Sequence, residues 1–200
     1  MMQQETICAI ATAQGGAIGV IRVSGPEAIS ITSQIFTPMG GKTLDERKPY
    51  TLTFGKIHSA EGEIIDEVLV SVFRAPHSYT GEDSTEISCH GSSYILQQVM
   101  RRLIECGCRT ALPGEYTQRA FLNGKMDLSQ AEAVADLIAS TSTATHRMAM
   151  NQMRGGFSQE LSILKDKLLH LTSLMELELD FSDHEELEFA DRTELSQIAD

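Results

Sequence analysis

Several features are scarce in this sequence of 200 residues, and each scarcity argues against a class of protein. No apolar stretch approaches the roughly 18 residues that a membrane helix needs, so we expect no transmembrane segment. The N-terminal residues lack a basic region followed by an apolar block, so we expect no signal peptide. The cysteines (Cys8, Cys89, Cys106 and Cys108) do not have the paired spacing of a zinc site. We therefore expect reduced thiols, a cytoplasmic protein and no metal site.

Positive charge is also scarce. The net charge is −12, and residues 176–200 hold ten acidic residues against the single basic Arg192. That segment contributes −9 and leaves −3 for the rest of the chain, so the body is near neutral and the end is an acidic helix or tail. A nucleic-acid interface built on phosphate contacts would be basic, so we do not expect one here.

A phosphate-binding loop is missing as well. Gly41-Lys42-Thr43 matches the end of such a loop, but Phe36 stands where the motif requires its first glycine. We interpret this segment as an ordinary loop.

The local pattern of the chain changes within 113–138. Upstream, alternating or apolar runs predict strands over 6–11, 17–23, 51–58, 64–73, 85–90 and 108–112, with helices after Ser24, which we expect as a cap, and over 94–106. Downstream, Asp127 and Gln130 have capping-box spacing, and a helix is predicted to run on to Met153. A second long helix is predicted over 158–180. The fold class is therefore α+β followed by all-α.

The helical part is expected to be incomplete. Apolar residues of the long helix recur at the 3,4 spacing of a packing seam: Leu161, Leu164, Leu168, Leu171 and Met175. Two antiparallel helices expose more apolar surface than they can cover, so partner helices are expected from elsewhere.

Three charged positions are the candidate site residues. Arg22 interrupts an apolar strand and shares a face with Ile18 and Val20, so it needs a carboxylate or an anionic ligand, and a structural salt bridge remains an alternative. Glu86 shares a strand face with two further polar residues, which fits either a solvated edge or a pocket wall. Lys125 lies in the polar stretch where the pattern changes, and pockets tend to form between domains.

Several segments carry a resemblance to a known family. They are residues 6–12, 16–25 and 79–83, and above all 113–138, which includes Arg119-Ala-Phe-Leu-Asn-Gly-Lys125-Met-Asp-Leu-Ser-Gln-Ala-Glu132. The chain resembles the MnmE (TrmE) family of tRNA modification GTPases over its whole length. The resemblance implies an aminomethyltransferase-like tetrahydrofolate-binding and dimerisation domain over 1–118. Over 119–200 it implies the N-terminal part of a helical domain, without the family's inserted G domain.

The same resemblance implies a function. The family modifies C5 of the wobble uridine of certain tRNAs with a carboxymethylaminomethyl or aminomethyl-type group, as a homodimer in a heterotetramer with the flavoprotein MnmG. The one-carbon unit comes from 5,10-methylene-tetrahydrofolate, with 5-formyl-tetrahydrofolate as the related ligand. GTP hydrolysis, with magnesium and potassium, belongs to the G domain, so this chain is not expected to hydrolyse GTP.

Family folate-binding positions correspond here to Arg22, Glu86 and Lys125, while no catalytic residue is assigned. We expect Glu86 to accept the N–H donors of the pterin, and either cation to meet the carboxylates of the folate tail. The turn at 13–16 is shorter than in the family, and Cys89-His90-Gly91-Ser92 replaces a Gly-His-Gly-Gly, which leaves loop contacts open. Two alternatives remain: an assembly module that dimerises and docks the flavoprotein without binding folate, and a stand-alone aminomethyltransferase.

Overall fold

A computed structural model describes residues 5–13 and 15–180, and the chain divides into two compact units, Met1–Met126 and Asp127–Asp200. The division lies C-terminal to the boundary expected at residue 118. The acidic segment noted above extends from α6, described below, into residues 181–200, which lie outside the described part of the chain.

The first unit is built on one mixed sheet. Its strands are β1 (Ile7–Ile10), β2 (Ile18–Ser24), β3 (Phe36–Pro38), β4 (Thr51–His58), β5 (Ile64–Phe73), β6 (Ser84–His90) and β7 (Arg109–Thr110). Their order in the sheet is β3-β4-β5-β6-β2-β1-β7, and every neighbouring pair is antiparallel except β1 with β7. The predicted α+β class is confirmed, and the hairpin of β4 and β5 has the predicted bounds.

Helices cover one face of this sheet. They are α1 (Ala28–Ile35) and α2 (Ser93–Glu105), and a short 3₁₀ turn (Leu44–Glu46) and α3 (Glu115–Leu122) complete the first unit. Alternate residues of the central strands are fully buried and pack with the apolar stripe of α2, as period-2 patterning requires: Ile21, Val23, Val68, Val70, Ile87, Leu96, Val99 and Leu103. The remaining strand residues form the opposite face, which we call the outer face.

One local prediction in the first unit was wrong, and one helix of that unit was not predicted. Ser24 does not cap α1, which begins at Ala28 without a side-chain cap. The Ser24 hydroxyl instead donates to the carboxylate of Glu82 at 2.7 Å, because a buried carboxylate needs donors. Helix α3 was not predicted at all, since its residues fell in the stretch interpreted as a polar junction.

The second unit contains α4 (Leu128–Ala139), α5 (Thr143–Met153) and α6 (Gly156–Asp180). The capping box of Asp127 and Gln130 is confirmed. The single helix predicted up to Met153 was wrong, because the chain leaves the helix at Ser140 and Ser142 caps a new one. Serine and threonine side chains compete for backbone hydrogen bonds, which explains the break. Seam residues of α6 such as Leu164 remain about half exposed, at 52%.

Candidate ligand-binding site

Strands β2 and β6 bring two of the three candidate residues together. Arg22 lies directly opposite Glu86 in the antiparallel register, and both side chains point to the outer face. The Nε and Nη2 groups of Arg22 donate to the same carboxylate oxygen, Oε1 of Glu86, at 2.9 and 2.7 Å. The salt bridge left open for Arg22 is therefore present, and Glu86 is its partner.

The ion pair is neither buried nor saturated. Each of the two side chains is 27% exposed. Both bonds end on one oxygen, so Glu86 Oε2 and Arg22 Nη1 have no partner among residues 5–13 and 15–180. An open acceptor and an open donor thus belong to the same partly desolvated ion pair, and hydrogen bonds to charged groups are strong.

Two tyrosine rings flank the guanidinium of Arg22. Its Cζ atom lies 5.2 Å from the ring centre of Tyr79 and 5.6 Å from that of Tyr116, within cation–π range. The Tyr116 hydroxyl donates to the Arg22 carbonyl at 2.7 Å, and the Tyr79 hydroxyl is 2.9 Å from the hydroxyl of Thr117. Burial raises the pKa of Tyr116 well above its usual value, so this hydroxyl stays protonated as a donor.

Lys125 follows α3 and contacts the loop that carries Tyr79. Its ammonium donates to the carbonyl of Pro76 at 2.9 Å, and its stem lies beside Gly81, where an added Cβ would be 3.2 Å from Lys125 Cγ. The residue is exposed. We call residues 76–83 the bridging loop, since it contacts Lys125 at Pro76 and Arg22 at Tyr79.

A buried ion cluster anchors the bridging loop and α3. Arg119, with a side chain 6% exposed, donates to Glu82 at 3.1 Å, to Glu115 at 3.0 Å and to the carbonyl of Glu5 at 2.9 Å. Glu82 also accepts from Ser24. We call Arg119, Glu82 and Glu115 the buried cluster. It joins β2, the bridging loop and α3 with nearly every polar atom bonded.

Glu115 has the most perturbed carboxyl in this region. Arg109 donates to it at 2.6 Å, and the amide of Leu112 and Arg119 add further bonds. The adjacent Arg109 guanidinium, above all, lowers the pKa of Glu115 to about 2. The carboxylate therefore remains ionised at all physiological pH values.

A separate polar contact lies at the far end of β6. The ring Nδ1 of His90 is 2.8 Å from the buried carboxylate of Asp66, which also accepts from the His90 amide. The His90 side chain is 72% exposed. This contact joins β5 and β6 beyond Leu69 and Ser88, the last residue pair at this end of their ladder.

Sequence reasoning found the charged groups and missed what holds them. Tyr79 and Tyr116 both lie in segments that carried the family resemblance, but nothing in their spacing assigned them a role. The signal that could have revealed α3 is the i,i+4 pair of Glu115 and Arg119, which suits a helix. Among the described residues no helix is long and apolar enough to span a bilayer, and none of their His, Cys, Asp and Glu side chains form a metal-binding group.

Comparisons with known proteins agree with this division of the chain. Residues 6–125 match the family described as GTP-binding protein TrmE N-terminus, and residues 128–200 match the MnmE helical domain. The first match covers more than half of the chain.

Individual relatives are similar over essentially the whole chain. Proteins named tRNA modification GTPase MnmE are 76% identical in Bacteroides thetaiotaomicron over 100% of this chain and 43% of the relative, and 68% identical in Phocaeicola vulgatus over 100% and 46%. In Flavobacterium johnsoniae the values are 56%, 99% and 42%. The chain therefore spans less than half the length of these relatives and matches their N-terminal part. The chain belongs to the MnmE (TrmE) family.

Proposed function

We propose that this chain is the folate-binding, dimerising part of a GTPase that modifies tRNA. The relatives carry the printed name tRNA modification GTPase MnmE, and the chain corresponds to their N-terminal part. In this proposal the complete protein acts in the cytoplasm on C5 of the wobble uridine, together with the flavoprotein MnmG. GTP hydrolysis, with its magnesium and potassium, is assigned to the remaining length of the relatives.

The observation that carries the folate proposal is the unsaturated pair of Arg22 and Glu86. A pterin offers adjacent N–H donors and a carbonyl oxygen along one edge. Glu86 Oε2 can accept from such an N–H, and Arg22 Nη1, on the other side of the guanidinium, keeps a donor for a separate acceptor of the ligand, without separation of the ion pair. A two-oxygen grip by Glu86 alone would require that Oε1 give up bonds to Arg22. Joint recognition by both residues is therefore the better fit.

The same geometry favours Lys125 as the cation for the folate tail. Arg22 is already engaged by Glu86, whereas the Lys125 ammonium is exposed and bonds one neutral carbonyl, that of Pro76. A flexible ammonium can leave that carbonyl for a carboxylate, since a charged acceptor binds it more strongly. When bound, the reduced folate would supply the one-carbon unit.

Isothermal titration with 5-formyl-tetrahydrofolate tests the proposal. Replacement of the carboxylate in Glu86→Gln should weaken binding by about 2 kcal/mol, because a hydrogen bond to a charged group is lost. Glu67→Gln is the matched control, since Glu67 also faces outward and pairs with a lysine across the strands, Lys56, at 3.6 Å. Equal affinity for wild type and Glu86→Gln would remove Glu86 from the site, and absence of any binding heat in wild type would overturn the folate proposal.

A second candidate function is that of an assembly module which dimerises and docks the flavoprotein without binding folate. The outer face supports it, because that face carries large exposed apolar side chains: Ile18, Leu52, Phe54 and Leu69. Such a patch often marks a protein interface. Phe54 and Leu69 are cross-strand partners, so the patch is continuous there.

Gel filtration combined with the titration separates the two candidates. A dimer that binds folate supports the first, and a dimer that does not bind folate supports the module. The change Leu69→Ser should dissociate a dimer formed through the outer face, while Leu112→Ser, at an exposed leucine outside the sheet, should not. A dimer unaffected by Leu69→Ser would exclude this face as the interface.

A further inference from the structure

We propose that Tyr79 and Tyr116 are positioning residues, which hold the Arg22 guanidinium in the orientation that meets the ligand. This inference rests on the proposed folate site, since it concerns how that site is prepared. The two rings and Arg22 form what we call the tyrosine clamp.

Arginine on a strand needs such support. Its side chain has many rotamers, and restricting them at the moment of binding weakens affinity. In this structure the guanidinium is restricted on three sides, by the Glu86 carboxylate and by rings 5.2 and 5.6 Å away. The clamp leaves Nη1 without a partner among the described residues, so one donor group stays available while the rest of the head is fixed.

A single helix sets the position of both rings. Tyr116 belongs to α3, and its hydroxyl bonds the backbone carbonyl of Arg22 itself, so the helix is registered to β2 at this residue. Tyr79 belongs to the bridging loop, and its hydroxyl bonds Thr117, the next residue of α3. The buried cluster fixes α3 and the bridging loop through Arg119. The clamp is therefore preorganised by contacts that involve no ligand.

The rings act on Arg22 chiefly through their faces, because the attraction comes from the aromatic quadrupole. Tyr79→Phe keeps that face and loses the bond to Thr117, whereas Tyr79→Leu keeps apolar volume and loses the face. Tyr94→Leu is the matched control, since Tyr94 is an exposed tyrosine of α2 without a ring contact to Arg22. Thermal unfolding followed by circular dichroism checks that each variant folds.

The experiment uses two readouts on the 200-residue chain. The first is titration with 5-formyl-tetrahydrofolate, where Tyr79→Leu should weaken binding about fivefold and Tyr79→Phe less than about twofold, as expected for a partly exposed cation–π contact. The second is the side-chain Nε–H resonance of Arg22 in ¹⁵N-labelled protein, identified by its loss in Arg22→Met. In wild type this resonance should be ring-shifted and slow to exchange. Tyr79→Leu should move it and speed its exchange, while Tyr79→Phe should leave it in place.

Each outcome decides whether Tyr79 positions Arg22. Weaker folate binding together with a shifted, faster-exchanging Arg22 Nε–H resonance supports the clamp. Weaker binding with an unchanged resonance means that Tyr79 contacts the ligand directly, which overturns a positioning role, and unchanged binding also overturns it. If wild type binds no folate, the proposed function fails, but the resonance still decides whether the rings hold Arg22.

Discussion

Two groups of paired arginine and glutamate side chains in the first unit share the same chemistry. They differ in saturation, that is, in how many of their hydrogen-bonding atoms have a partner. In the buried cluster, Arg119 and its two carboxylates are less than 10% exposed, and they bond one another, a serine hydroxyl and a backbone carbonyl. In the Arg22–Glu86 pair both side chains are 27% exposed, and one carboxylate oxygen has no partner among the described residues.

The difference separates a structural ion pair from one that can recognise a ligand. Buried charges without partners are costly, so a fully bonded cluster is hard to alter without loss of the fold. A partly exposed pair with an open acceptor contributes little to the stability of the fold. Its open acceptor can exchange a water molecule for a ligand. Burial and saturation together, rather than charge alone, therefore support the proposal that Arg22 and Glu86 meet the ligand.

The largest expected effect breaks the buried cluster. Arg119→Met leaves Glu82 and Glu115 buried without their shared cation, and should lower the free energy of unfolding by about 3–5 kcal/mol. Arg22→Met should lower it by only about 1 kcal/mol. Urea unfolding followed by tyrosine fluorescence measures this, because the chain has no tryptophan and all four tyrosines lie in the first unit.

Equal losses in the two variants would mean that the pair on the outer face is as structural as the buried cluster. The distinction drawn from saturation would then fail. Arg101→Met gives the baseline, since Arg101 forms an exposed i,i+4 pair on α2.

The second largest expected effect is the loss of stability of the buried cluster at low pH. The folded pKa of Glu115 is about 2, below its ordinary value of 4.5, chiefly because of the Arg109 guanidinium. A depressed carboxyl pKa stabilises the fold at pH values above the ordinary pKa, and this stabilisation is lost as the pH falls toward the folded value. We expect the first unit to lose about 2 kcal/mol between about pH 5 and about pH 2 through this group.

Glu115→Gln isolates this contribution, since glutamine keeps the size and removes the titration. The free energy of unfolding of the variant should fall less steeply over the same range than that of wild type. Parallel curves for the two proteins would show that Glu115 is not depressed in the folded state.

The sequence was most informative where pattern alone decides structure. Alternation predicted the β4–β5 hairpin with its exact bounds, and the capping box of Asp127 predicted the start of α4. Charge in an apolar strand identified Arg22 as a residue that needs a partner, and the register supplied Glu86. These signals come from neighbouring residues or from period-2 alternation, so they predict local structure without knowledge of the tertiary contacts.

What could not be predicted depends on contacts distant in sequence. Arg119 lies 37 residues from Glu82, and Tyr116 lies 94 residues from the carbonyl it bonds. Ser24 has the position of a helix cap, yet its hydroxyl serves Glu82 because tertiary contacts override a local preference. The tyrosine clamp was invisible for the same reason.

The bridging loop connects the two clusters, and a glycine in it allows a smaller test. Gly81 has φ +79°, and a Cβ there would lie 3.2 Å from Asn123 Cβ and Lys125 Cγ. Gly62 has φ +86° with nothing within 4 Å, so Gly62→Ala measures the backbone cost alone, about 1 kcal/mol. Gly81→Ala should cost up to about 1 kcal/mol more by urea unfolding, since Lys125 must shift. Identical losses would show that the loop yields freely, and that Lys125 is not held by it.

The smallest expected effect compares the two pairs on the outer face. A double-mutant cycle with Arg22→Met and Glu86→Gln should give a coupling energy of about 1 kcal/mol, since these groups are partly buried and joined by two hydrogen bonds. The same cycle with Lys56→Met and Glu67→Gln should give less than about 0.5 kcal/mol, since that pair is 3.6 Å apart and Glu67 is 55% exposed. Coupling that follows burial in this way would place Arg22–Glu86 between the buried cluster and the solvated pair. A coupling energy of about 3 kcal/mol or more would instead group Arg22–Glu86 with the buried cluster. The pair would then be a structural ion pair, which argues against its proposed role in ligand binding.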